Sequence, residues 1–198
     1  MKKTFLGIGA GPIQTGIFAS GASAGGFERI VLADVDAELV ASIRKAGTLS
    51  VNTAEENRIR CDSYPNIEIY SPAVPADLAK LKEIAKEALA IVTALPSTAF
   101  YKHLGWLREA FASEPEALHY VYTAENSTTA AKELQTVIGS FPKTYFLDTV
   151  IGKMSKVFKS EDCGLPPLAP GFSRGHLVEA FNEIYTSSAP GIENLGIV

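Results

Sequence analysis

The chain has 198 residues, 46% hydrophobic and 20% charged, with a net charge of −4. That length suits one domain with a full core, and the composition excludes a disordered chain. No basic run favours nucleic acid or an anionic membrane surface, and no apolar run reaches the ~20 residues of a membrane-spanning helix.

Lys3 to Ile8 reads as a short buried strand closed by glycines. Pro12 suits the first position of a helix, where its missing N–H costs nothing, and Ile13, Ile17 and Phe18 share a helical face before Gly25-Gly26 stops it. A second strand, Arg29 to Ala33, ends at Asp34, and a helix from Ala37 to Lys45 is stopped by Gly47. Residues 49–53 and 58–61 then break the alternation as a strand pair with a turn between them.

Residues 66–70 read as a strand, and Leu78, Leu81, Ile84 and Ala88 mark a helix. Residues 90–95 form a nearly all-apolar run, the mark of a strand covered on both faces. Phe100, Leu104, Leu107 and Phe111 repeat at helical spacing, with His103 and Trp106 read as packing residues on that helix. A strand over 118–124 leads to Glu125-Asn126, then to a helix carrying Ala130, Leu134, Val137 and Ile138, and then to a strand over 144–148. Residues 160–172, with Pro166, Pro167, Pro170, Gly164 and Gly171, read as a loop or linker, and 176–185 fits either strand or helix. Cys61 and Cys163 suit neither a disulfide framework nor a metal knuckle, and His103, His119 and His176 lack ligand spacing, so no metal is expected.

Strand alternating with helix over most of the chain predicts an α/β fold with a doubly wound, mostly parallel sheet, carrying a small strand-pair insertion around residues 49–61. Within that fold the first turn has a chemical reading. Gly9 permits a sharp turn from strand to helix, Gly11 leaves room for a pyrophosphate, and the helix start presents free N–H groups to it. The run is G-x-G-x-x-Q-x-G: Gln14 stands where a third glycine is usual, and Gly16 follows two residues later. Gln14 would either bond the cofactor or reflect looser packing of helix on strand. Asp34, at the end of the second strand, suits the hydroxyls of an adenine ribose, or alternatively caps the next helix. With Asp36 it would repel a 2′-phosphate, so NAD is expected over NADP.

The opening MKKTFLGIGAGPIQTGIFASGASAGG also has the outline of a secretory signal: lysines, an apolar run, then Ala-Ser-Ala. Glycines, Pro12 and Gln14-Thr15 in the middle of the run weigh against that, and removing it would delete the central strand. A cytoplasmic protein is expected.

Together these motifs resemble the N-terminal, Rossmann-like NAD-binding domain of the mannitol dehydrogenase family of polyol-specific, zinc-independent long-chain dehydrogenases. Within that family the chain resembles the mannitol-1-phosphate 5-dehydrogenases and their altronate- and tagaturonate-reducing relatives. The resemblance rests on Gly9-Ala-Gly-Pro-Ile-Gln-Thr-Gly16-Ile-Phe18, Leu32-Ala-Asp34-Val35, Thr93-Ala94-Leu95, Ala124-Glu125-Asn126, Phe146-Leu-Asp148-Thr149 and Val178-Glu179-Ala-Phe181, in that order along nearly the whole chain. The last segment favours a strand there. The resemblance implies a cofactor held by Gly9, Gly11, Pro12, Ile13, Gln14, Asp34, Thr93, Ala94, Leu95 and Asn126, with Asn126 also stabilising a developing alkoxide. On residue type and position alone, Asn126 would equally cap a helix.

Two departures stand out. A Val-Asp-Arg segment of the family is Ile151-Gly152-Lys153 here, so an Asp that helps hold the polyol has no counterpart. The family's catalytic Lys, Asn and His belong to a helical C-terminal domain that this chain is expected to lack. The expected organisation is therefore a nucleotide-binding domain over residues 1–159 and a Pro/Gly-rich loop with an extra strand over 160–198, leading toward that catalytic domain. The expected partner is a polyol or sugar phosphate, not nucleic acid or membrane. Alone the chain would be inactive as a dehydrogenase, or would serve as a non-catalytic NAD-binding module.

Overall fold

The computed structural model describes residues 3–197. Six strands form a parallel sheet: β1 (Thr4–Ile8), β2 (Arg29–Ala33), β5 (Ile67–Tyr70), β6 (Ala88–Thr93), β7 (His119–Thr123) and β8 (Thr144–Ile151). Their spatial order is β5-β2-β1-β6-β7-β8, and β11 (Ile184–Thr186) adds antiparallel to β8 at the edge. The order reverses between β1 and β6, which opens a crevice at the carboxyl ends of the strands. β6 reads as an apolar run because it is covered on both faces, and every residue of β1 and β7 is buried.

One face of the sheet is packed by α3 (Pro75–Glu87), α4 (Gly105–Ser113) and α5 (Ala130–Ile138) through Leu81, Ile84, Leu107, Phe111, Leu134 and Ile138. A short 3-10 turn, Thr98–His103, precedes α4, so the helix expected across Phe100 to Phe111 is broken at Leu104. The N-terminus of α5 takes a bond from the sheet, where Asp148 Oδ1 accepts from Ala131 N at 3.0 Å.

The other face carries α2 (Ala37–Ala46) and α1, a π-helical turn Gln14–Ala19 running into α-helical Ser20–Ala24. Over α1 lies a second sheet of order β4-β3-β10-β9, made of β3 (Thr48–Ala54), β4 (Ile59–Pro65), β9 (Ser155–Lys159) and β10 (Arg174–Glu179). The strand pair expected around 49–61 is thus the β3–β4 hairpin, extended to residues 48–65 and joined to β10, which runs parallel to β3.

The Pro/Gly-rich stretch is fixed in place. It starts with a short helix, α6 (Ser160–Cys163). Fully buried Asn52 donates to Pro166 O and His176 O, and Ser50 N donates to Leu168 O at 2.7 Å. Leu168, Ala169, Phe172, Val178, Leu195 and Ile197 belong to the same core as Phe5, Phe18 and Leu32. In packing, residues 160–197 are therefore continuous with what precedes them.

Candidate functional site

At the carboxyl ends of β1, β2 and β6 lies a cleft of about 890 Å3. Its floor is the turn from β1 into α1. Gly9 has φ +83°, a conformation side chains rarely adopt, and a Cβ there would come within 2.6 Å of Ala94 O. At Gly11 an added Cβ would meet nothing within 4 Å, so the backbone is open on the cleft side. Gly9, Gly11, Pro12 and Ile13 all line the cleft.

Asp34 lines it too, at the end of β2. Its Oδ2 accepts from Ala10 N at 2.7 Å and its Oδ1 from Asp36 N at 2.9 Å, which ties the glycine turn to the end of β2. The cap of α2 is a different residue: Asp36 Oδ1 accepts from Leu39 N at 3.1 Å. Asp36 also pairs with Arg174, which reaches over from β10. Burial works against the Asp36 charge, but the Leu39 amide and Arg174 together hold its carboxyl below the usual range.

From β6, Ala94 and Leu95 line the opposite wall, with Ala124 beyond them from β7. Phe100, His103, Leu104 and Trp106 complete an apolar wall. Trp106, expected as a packing residue, is buried in the core and also lines the cleft, whereas His103, expected to pack as well, is exposed at the end of the Thr98–His103 turn and faces the cleft.

Three expected site residues stand elsewhere. Thr93 is fully buried, and its hydroxyl donates to Glu125 Oε2 at 2.9 Å. Asn126 is exposed and is not part of the cleft lining, while Thr129 stands at the N-terminus of α5. Gln14 is fully buried beneath the turn, with Oε1 and Nε2 unpartnered. It fills the space that Gly7 leaves on β1: a Cβ on Gly7 would lie 1.9 Å from Gln14 Nε2. Gly16 does the same for the other side of α1, where a Cβ would lie 2.5 Å from Val178 Cγ1 of β10. The helix is therefore pressed between two sheets, with room from Gly7 on one side and from Gly16 on the other.

Two networks were not legible in the sequence. Glu125, buried at the end of β7, accepts from Thr93 Oγ1, from Leu95 N at 2.9 Å and from the Tyr101 hydroxyl. Burial, together with that bond to Glu125, pushes the Tyr101 phenol well up, so it remains a donor. Beneath the glycine turn, Thr15 Oγ1 donates to Gly11 O at 3.2 Å and shares a 2.8 Å hydrogen bond with His176 Nδ1. Burial, reinforced by Arg174, pulls His176 down to about 4, so the ring is neutral at ordinary pH.

At the far edge, Lys153 is buried and donates to Phe181 O at 2.9 Å and Asn182 Oδ1 at 3.0 Å. Burial lowers its ammonium. Among the described residues no group of His, Cys, Asp or Glu is disposed to hold a metal, and no helix is long and apolar enough to cross a membrane.

The cleft therefore offers a turn open to backbone approach, a helix start, a carboxylate at the end of the neighbouring strand and an apolar opposite wall. That set fits a dinucleotide: pyrophosphate on the turn, ribose hydroxyls on Asp34 and flat rings on the apolar walls.

No family model matches the sequence, and no curated protein does. Solved structures do match. The fold superposes on Pseudomonas fluorescens mannitol 2-dehydrogenase, in ternary complex with NAD and D-mannitol, with a TM-score of 0.71 and 9% identity, over 99% of this chain and 52% of that one. A D-sorbitol dehydrogenase in substrate-free form gives 0.69 and 10% identity, over 99% and 53%. Octopine dehydrogenase gives 0.60 and 12% identity, over 98% and 46%. The chain spans about half the length of these structures, and at such identities the likeness is one of fold.

Proposed function

We propose that this chain is the NAD-binding portion of a zinc-independent, cytoplasmic dehydrogenase acting on a polyol or polyol phosphate, of the mannitol-1-phosphate 5-dehydrogenase kind that its motifs resemble. The observation that carries the reading is the cleft itself. A glycine turn held at φ +83° meets a carboxylate bonded to that same turn, at the point where the strand order reverses. The fold likeness to a polyol dehydrogenase solved with NAD and D-mannitol supports it.

In this reading Gly11 and the amides at the start of α1 hold the pyrophosphate, and Asp34 accepts the adenine ribose hydroxyls. Asp34 has the lone pairs to do so, since each of its oxygens takes one backbone donor and keeps room for another. NAD is preferred to NADP because a 2′-phosphate would face this carboxylate. Asp36 contributes less to that preference, because Arg174 offsets its charge. When bound, NAD supplies the hydride acceptor. The lysine that removes the alcohol proton would come from the catalytic half that the resembled family carries, since Lys153 is committed to Phe181 and Asn182.

The second reading, a non-catalytic NAD-binding module, is favoured by the position of Asn126, exposed and outside the cleft lining. Titration of the chain with NADH and NADPH tests the shared part of both readings. NADH should bind more tightly than NADPH, and Asp34→Ala should weaken NADH about tenfold or more, the cost of losing hydrogen bonds to a charged group. Equal binding of the two, or none, contradicts the assignment. Assay with NAD and mannitol 1-phosphate separates the two readings, since turnover once a catalytic half is supplied belongs to the first alone.

A further inference from the structure

Two carboxylates are buried among the described residues, Asp77 and Glu125. Asp77 faces Arg44 at 2.7 Å. Glu125 has no cationic partner among the described residues, and its surroundings are all donors: Thr93 Oγ1, Leu95 N and the Tyr101 hydroxyl. Convergent donors are what an acceptor-only carboxylate requires. They offset part of the cost of burial but leave its field without a counter-charge.

The place of this carboxylate follows from the sheet order. A pyrophosphate on the turn after β1 and an adenosine at the end of β2 leave the other half of a dinucleotide over β6 and β7. There Ala94, Leu95 and Ala124 form the wall of the cleft. Glu125 follows Ala124 in the chain and is bonded to the Leu95 amide, so its carboxylate stands directly behind that wall. An oxidised nicotinamide ring carries a positive charge and a reduced ring carries none. A fixed anion behind a low-dielectric wall therefore acts on one redox form and not the other.

We propose that Glu125 is a specificity-determining residue that biases the cleft toward the oxidised dinucleotide. The inference rests on reading the cleft as a dinucleotide site and deepens it.

The test is titration of wild type and Glu125→Gln with NAD+, NADH and ADP-ribose, with Glu109→Gln as a control that removes a surface charge. Glu125→Gln should weaken NAD+ about tenfold and leave NADH and ADP-ribose within about twofold, while Glu109→Gln keeps the wild-type ratio. Structural damage to the cleft would weaken all three ligands together, and that outcome overturns the inference, as does an unchanged ratio. If Glu125→Gln does not fold, wild type decides: NAD+ binding about tenfold weaker than NADH overturns the proposal, and binding at least as tight supports it. Failure of wild type to bind either NADH or ADP-ribose removes the dinucleotide reading, and the inference with it. Binding of all three with an unmoved ratio removes only the inference.

Discussion

The room for Gln14 comes from Gly7, where a side chain of even one carbon would sit 1.9 Å from Gln14 Nε2 and 2.9 Å from Leu32 Cδ2. Gly7, on the strand that the helix packs on, supplies the room that a glycine at position 14 would otherwise leave. Gly7→Ala should then cost about 1–3 kcal/mol in urea unfolding, as overpacking does, and most of that cost should vanish in a Gln14→Ala background. Additive effects would show that the two side chains do not compete for the space. Gln14 also buries an amide with no partner, so Gln14→Met should stabilise by about 1 kcal/mol through removal of the unsatisfied groups. The sequence showed that position 14 departs from the pattern but not which way its side chain turns. That direction depends on Gly7, seven residues earlier on another element. Asp34 was legible because its place at a strand end fixes its surroundings, whereas the partners of Glu125, Thr93, Leu95 and Tyr101, lie well before it in the chain and only the fold brings them to it.

Between elements, α1 is the part under most constraint. Gly16 lets it approach β10, and a Cβ there would meet Val178 Cγ1 at 2.5 Å. Gly16→Ala should destabilise by about 1–3 kcal/mol and weaken any ligand held at the start of the helix. The contact between α1 and β10 also contains a titratable group, His176, hydrogen-bonded to Thr15. The folded His176 is pulled down to about 4 by burial and Arg174, against about 6.5 unfolded. Between those values the unfolded chain binds the extra proton, so stability must fall as pH drops from about 6.5 to about 4, by on the order of 3 kcal/mol. Burial lowers His119 in the same direction. The fall in unfolding free energy over that range should become shallower in His176→Gln, and a slope equal to wild type would show that His176 does not contribute to it. Most elements of the main sheet were legible, since doubly covered strands read as apolar runs. β9 was not: its residues are mostly exposed, and Ser-Lys-Val-Phe-Lys carries no long apolar signal. It is a strand because β10 pairs with it, and no local pattern announces a pairing across the Pro-rich stretch.

For the whole molecule, the layers run from the second sheet through α1 and α2 to the parallel sheet and then to α3, α4 and α5. The C-terminal segment closes this stack, since β10 lies between β3 and β9 and residues 168–197 contribute to the core around Phe5 and Phe18. Deletion of residues 160–198 should abolish cooperative unfolding, because it exposes fully buried surface around Leu49 and Phe18. A truncated chain with an unchanged urea midpoint would show that the main sheet stands alone. The order of the glycine turn, Asp34 and the apolar strands made the doubly wound arrangement legible. The two-sheet sandwich around α1 was hidden because it is assembled from distant segments. That the cleft at the carboxyl ends of β1, β2 and β6 holds NAD is tested most directly by a crystal structure of the chain with NADH. The pyrophosphate should lie against Gly11 and Ile13, the adenine ribose hydroxyls on Asp34 and the nicotinamide along Ala94, Leu95 and Ala124. A dinucleotide bound elsewhere, or a cleft still empty at saturating NADH, would contradict it.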